Sequence, residues 1–185
     1  MAPLLQNYRK QFAYYRHLAE GAMAQLTFAQ LTQDDAAGSN SIAVIVKHLA
    51  GNMRSRWTDF LTTDGEKTWR DREDEFVANF PDRPALEGAW NEGWAVLEQA
   101  LNELTPGQLE TVIYIRNEGH PVYEAINRQL AHYSYHVGQI VLLAKQLRGA
   151  EWQSLSIPRG GSEAFNARKF AEEKGQRNFI DGMMK

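Results

Sequence analysis

One apolar stripe constrains this chain more than any other feature: Val122, Ile126, Leu130, Tyr133, Val137, Ile140, Ala144 and Leu147. The steps along it alternate between four and three residues, the near-heptad spacing of a helix that packs inside a bundle. Pro121 suits the first turn of that helix, because its missing N–H would be unpaired there anyway. Gly149 stands just past the end, where a C-cap belongs. A helix with so long an apolar seam needs other helices along its length, and three further segments have the matching period. The first runs from Leu4 to Leu31, on the line Leu5, Tyr8, Phe12, Tyr15, Ala22, Leu26. The second opens after Ser39, Asn40 and Ser41, any of which can cap it, and reads Ile42, Ile45, Leu49, Met53, Trp57, Phe60. The third follows Pro84 and reads Leu86, Trp90, Gly93, Leu97, Leu101, Leu104, stopping before Pro106. The expected fold class is all-α.

The connections differ in character. The stretch from Thr62 to Arg83 is polar and charged, with Trp69 and Phe76 as expected anchors onto the helices. Leu109 to Ile115 is β-branched and aromatic, which favours extended backbone. SIPRGGS (Ser156 to Ser162) is a loop by composition, and Glu163 to Asn178 is a candidate short helix. The 185 residues fit one domain over 1–185, with a core at about 3–149 and a C-terminal extension over 150–185.

Composition narrows the chemistry. The chain has no cysteine, which excludes disulfides, thiolate metal sites and cysteine nucleophiles. The net charge of −3 and the lack of a Lys/Arg-rich run argue against nucleic acid as a partner. No stretch reaches the roughly 18 consecutive apolar residues of a membrane-spanning helix, so no membrane partner is expected. The opening MAPLLQNYRK lacks the layout of a secretion signal, so the expected location is the cytoplasm.

Two of the five histidines, His132 and His136, stand four residues apart in the strongest helix. That is just over one turn, so both imidazoles leave one face, one above the other. Their row (Ala125, Gln129, His132, His136, Ile140, Leu143) flanks the apolar seam and merges with it at Ile140. His48 lies beside Leu49 in the second helical segment, on a row with Ile45 and Asn52. A single inward histidine is usually a core residue with a polar partner. Three on two facing helices are harder to explain as packing, because each would need its own partner to offset a desolvation cost of about 1–3 kcal/mol. His48, His132 and His136 are therefore the candidate metal ligands.

The run Asn40-Ser41-Ile42, then His48-Leu49 and Asn52, with a distant HYSYHVGQI (His132 to Ile140), resembles the DinB/YfiT-like superfamily. The stretch from His48 to Phe76 and LSIPRGGSEAFN (Leu155 to Asn166) resemble one uncharacterised bacterial branch of it. The resemblance implies a four-helix bundle, often a homodimer. It also implies a divalent metal held by one histidine of the second helix and two of the fourth, with positions left open for water or a small-molecule substrate. All three expected positions are histidine here. Relatives include thiol-dependent S-transferases, an isomerase that uses a low-molecular-weight thiol, and hydrolases. The expected function is thus a metal-dependent enzyme that activates a thiol or water, of S-transferase or hydrolase type. The expected cofactors are a divalent metal, zinc or nickel first with iron, cobalt or manganese as alternatives, and a low-molecular-weight thiol. The competing readings are a non-catalytic metal-binding protein and a dimeric structural module.

Several other residues have weaker claims. Asn52 is one turn from His48 and is best read as a helix–helix hydrogen-bonding residue. Gln129 and Gln139 are candidates to support the histidines from behind. Glu118 and Tyr114 are minor acid/base candidates; Tyr135 and His17 belong at the surface, and His120 at the start of the last long helix. Arg54 and Arg56 can meet an anionic substrate or thiol cofactor but are more simply solvated. The run Arg70 to Glu75 reads as a solvated face that can lie over a site. Catalytic residues are not assigned by the sequence.

Overall fold

The apolar seam from Val122 to Leu147 is the spine of the fold. In the computed structural model, which describes residues 2–34 and 38–183, it forms helix α5 (Val122–Arg148). Val122, Ile126, Tyr133, Val137, Ile140 and Ala144 are buried along it. Gly149 closes the helix at φ +57°, a left-handed conformation that glycine adopts without a Cβ penalty. The other helices are α1 (Ala2–Met23), α2 (Phe28–Leu31), α3 (Ile42–Trp57), α4 (Arg83–Glu103) and α6 (Ser162–Phe170). The described chain is mostly helical. The two largest interfaces pair α3 with α4 and α1 with α5, and α3 also meets α5. Trp90, Trp94, Tyr133, Phe12, Leu49 and Met53 fill the shared core. No helix among the described residues is long and apolar enough to cross a membrane.

Caps set the boundaries. The Ser41 hydroxyl accepts from the Val44 N–H at 3.3 Å and starts α3. Asp82 does the same for α4 through the Ala85 N–H at 2.9 Å. The helix expected over Leu4 to Leu31 is two helices. Thr27 and Gln30 form a capping box, in which the Gln30 side chain takes the Thr27 N–H, and this restarts the backbone at Phe28.

Leu109 to Ile115 is partly extended, as its composition suggests. Val112–Ile115 (β1) pairs antiparallel with Glu118–Pro121 (β2), joined by a turn in which Arg116 and Asn117 have φ of +55° and +62°. Two consecutive positive φ values mark the mirror-image turn favoured in tight hairpins. Asp64, from the loop between α3 and α4, accepts from both N–H groups of that turn at 2.8 and 2.9 Å. His120 belongs to β2, not to the start of the last long helix, because pairing with Ile113 carries the strand to Pro121.

The loop 58–82 departs from its expected character. Trp69 and Phe76 are about half exposed: they lie on α3, Trp69 against Arg54 and Phe76 against the His48 ring, without entering the core. The anchors are charged: Glu75 is 4% exposed and the side chain of Arg70 only 2%. The run Arg70 to Glu75 therefore faces inward at both ends. At the C-terminus, α6 covers Ser162–Phe170 rather than 163–178 and has no buried residue. Beyond it, Ile180 is fully buried against the end of the bundle near α1.

Candidate metal centre

α5 presents His132 and His136 one turn apart, half-buried beside its apolar seam, and α3 presents His48 opposite them. One ring nitrogen from each of the three lies within 4.8 Å of the others. The Nε2 atoms of His48 and His132 are 3.3 Å apart. Two nitrogens bound at ~2.0–2.1 Å to a tetrahedral ion stand about 3.3 Å apart, so this pair already has a coordination spacing.

The far side of two of the rings is held by hydrogen-bond acceptors. Nδ1 of His48 is 3.0 Å from Oε2 of Glu75, and Nδ1 of His136 is 2.7 Å from Oε1 of Gln139. Those oxygens can only accept, so Nδ1 carries the proton in both rings and Nε2 keeps its lone pair. This carboxylate–histidine arrangement is the usual backing of a metal-binding imidazole. Glu75 is itself fixed by a two-point contact from Arg70, at 2.7 and 2.9 Å. Burial raises the cost of the Glu75 charge, yet the bonds from His48 and Arg70 outweigh it and hold the carboxyl below its ordinary range. Phe76 stacks on the His48 ring at 5.7 Å.

Burial pushes the His132 imidazole down to about 3, helped by His136, His48 and the guanidinium groups of Arg56 and Arg70. His136 is also lowered, first by burial, with Gln139 opposing. Both rings are neutral near pH 7, the state a ligand needs.

The histidines border a cavity of about 410 Å³. Asn52 and Gln129 reach its wall, as do five arginines: Arg56, Arg70, Arg72, Arg116 and Arg128. Among the described residues no aspartate, glutamate, lysine or tyrosine lines it. Asn52 accepts from the buried Tyr133 hydroxyl at 3.0 Å, the helix–helix bond its position suggests, and Tyr133 accepts from the Trp57 indole at 3.2 Å. Arg56 is buried, not solvated: it donates to the Gly65 carbonyl and to Glu66. Arg54 stays outside, over Trp69. Glu118 and Tyr114 are exposed and take no part in the cavity, and His17 and Tyr135 lie at the surface. The sequence reading missed Glu75 as a partner of His48. The available signal was Gly51, one turn from His48, where a Cβ would come within 2.2 Å of the Glu75 carboxylate.

Neither a search of curated proteins nor one of solved structures gives a match. A family model does match, over residues 1–161, which include all three histidines, Glu75 and every cavity arginine. On that match the chain belongs to the family of proteins of unknown function DUF1572.

Proposed function

We propose that this protein is a metal-dependent enzyme of the DinB/YfiT-like kind, in which His48, His132 and His136 hold one divalent ion. The reading is carried by the convergence of three imidazoles, two of them backed at Nδ1, on one point at the edge of a cavity. The pairwise packing of α1, α3, α4 and α5 and the family match over residues 1–161 support the four-helix form of that superfamily. An all-imidazole donor set suits zinc or nickel first, then cobalt, iron or manganese. When bound, such an ion supplies Lewis-acid activation of a thiol or of water.

The chain's own residues prepare the site for it. Glu75 orients His48, Arg70 fixes Glu75, and Gln139 orients His136. Phe76 shields one face of His48 from solvent. Among the described residues no carboxylate, lysine or phenol lines the cavity to move a proton, so this reading assigns no separate general base. That same lack is what favours the second reading, a non-catalytic metal-binding protein. The room beside the histidines favours the enzyme.

Elemental analysis of the purified chain beside His48→Ala and His132→Ala, with circular dichroism as the folding control, tests the site. The expected result is one divalent ion per chain, lost from both folded variants. A wild-type chain that stays metal-free after incubation with zinc, nickel and manganese defeats the proposal. An ion-loaded chain without turnover in a screen of thiol-transfer and hydrolysis substrates supports the second reading.

A further inference from the structure

The cavity beside the histidines has a charge that the reaction class alone does not require. Five guanidinium groups line it in a chain whose net charge is −3. Among the described residues two carboxylates compensate them, both set behind the wall. Glu66 is shared by Arg56 at 3.1 Å, Arg70 at 3.5 Å and Arg116 at 2.9 Å, while both oxygens of Glu75 accept from Arg70 and one also meets His48. Arg72 and Arg128 have no hydrogen-bond or ion-pair partner among the described residues, and both are exposed at the rim. They approach from different elements, Arg72 from the loop that carries Glu75 and Arg128 from α5, one turn before His132.

Two further details bear on the cavity. Arg116 stands in the turn between β1 and β2, which Asp64 holds through the Arg116 and Asn117 N–H groups. The result is to set a guanidinium at the cavity edge. Gln129, 3% exposed and on the cavity wall, has a side-chain oxygen with no donor among the described residues. A buried acceptor left open in this way can receive a donor from a molecule in the cavity. Guanidinium groups recognise carboxylate and phosphate through paired N–H donors, and a partly enclosed cavity strengthens that attraction.

We propose that the cavity binds a small anionic substrate, a carboxylate or phosphate compound that also bears an O–H or N–H donor. Arg72, Arg116 and Arg128 hold its anionic group and Gln129 its donor. This rests on the metal-site reading only for the chemistry performed on the substrate; the anion site itself is built from other residues.

Titration calorimetry with inorganic phosphate and with malonate tests it, on the chain as purified and after chelator treatment. The samples are wild type, the Arg72→Gln/Arg128→Gln double variant, and Arg168→Gln on the exposed face of α6 as a control. The expected result is saturable one-to-one binding of at least one anion by wild type and by the control, with or without metal. The double variant should bind about tenfold more weakly or worse, since a charge-assisted hydrogen bond to a ligand typically contributes that much. Its metal content and circular dichroism should match wild type. The anion that binds better identifies phosphate or carboxylate as the substrate's group. Wild type that binds neither anion, or a double variant that binds as wild type does, overturns the proposal. Binding that needs the metal and ignores the arginines overturns it too, because the anion is then only a metal ligand. Arginine-dependent binding in a chain that never takes up metal upholds the anion site while the metal reading fails.

Discussion

The Glu75 carboxylate reaches His48 from 27 residues further along the chain, and this contact decides which nitrogen of the ring is free. His132 and His136 could be paired from the sequence because a helix makes the i, i+4 relation local. Glu75 could not, since its loop has no periodicity and its burial depends on Arg70 folding in with it. The same reasoning explains why the run Arg70 to Glu75 looks solvated when read alone: its two ends, Arg70 and Glu75, neutralise each other only in three dimensions. Replacing Glu75 with glutamine keeps its shape and still allows contact with Arg70, but removes the charge that supports the His48 proton. Loss of such a backing group typically lowers metal affinity about 10–100-fold. Competition of Glu75→Gln against a chromophoric chelator should show a decrease in that range with unchanged circular dichroism. Equal affinity for the two proteins would mean that Glu75 only fills space.

Two glycines let the elements come together, and they separate the site from the scaffold. Gly93 on α4 lies so near α3 that a Cβ would stand 2.8 Å from the Ala50 Cα. That atom is backbone, so the helices themselves must part, at a cost of about 1–3 kcal/mol by comparison with overpacked cores. Gly51 faces only the pinned end of the Glu75 side chain. Gly93→Ala should therefore lower the thermal midpoint by several degrees, as ~1–3 kcal/mol implies for a domain of this size, with one metal per chain retained. Gly51→Ala should do the reverse, with a small change in midpoint and a clear loss of metal affinity as Glu75 leaves His48. If both variants lose affinity and stability in the same proportion, the loop and the helix pair are one unit. At this scale the helices themselves were largely legible, because their apolar rows and caps are local: Gly149 and the α5 seam stand where the sequence puts them, and Ser41 is the one of three candidates that caps α3. The break at Thr27 was missed because the apolar line continues across it to Leu31, although Thr27 and Gln30 carry the capping-box pattern. Strand β2 was missed because EGHP has no strand-like alternation and its turn, Arg116-Asn117, contains no glycine.

For the whole molecule, the neutral histidines link stability to pH and to metal. His132 takes up its proton at about 3 in the folded chain against an ordinary 6.5, because burial comes first and nearby imidazoles and guanidinium groups add to it. Between those values the unfolded chain binds a proton that the folded chain does not, so folding weakens as pH falls through that window. His136 is shifted in the same direction, and so is Glu75, whose contribution is lost below the ordinary carboxylate value of 4.5. The two histidine effects set in below about pH 6.5 and that of Glu75 below 4.5, and all three weaken folding as the pH falls. A bound ion adds to them, because it binds the folded chain and competes with the same protons. At a free concentration about a hundred times its Kd, an ion contributes about 2.7 kcal/mol, or roughly 5–10 °C for a domain of this size. Thermal melts of metal-free and zinc-loaded chain between pH 7.5 and 4.5 should show that gap near neutrality. It should close as the pH falls, while the metal-free midpoint itself declines below about 6.5. His132→Ala should abolish the gap at every pH and flatten the decline. A metal-dependent gap that survives in His132→Ala would place the ion elsewhere on the molecule.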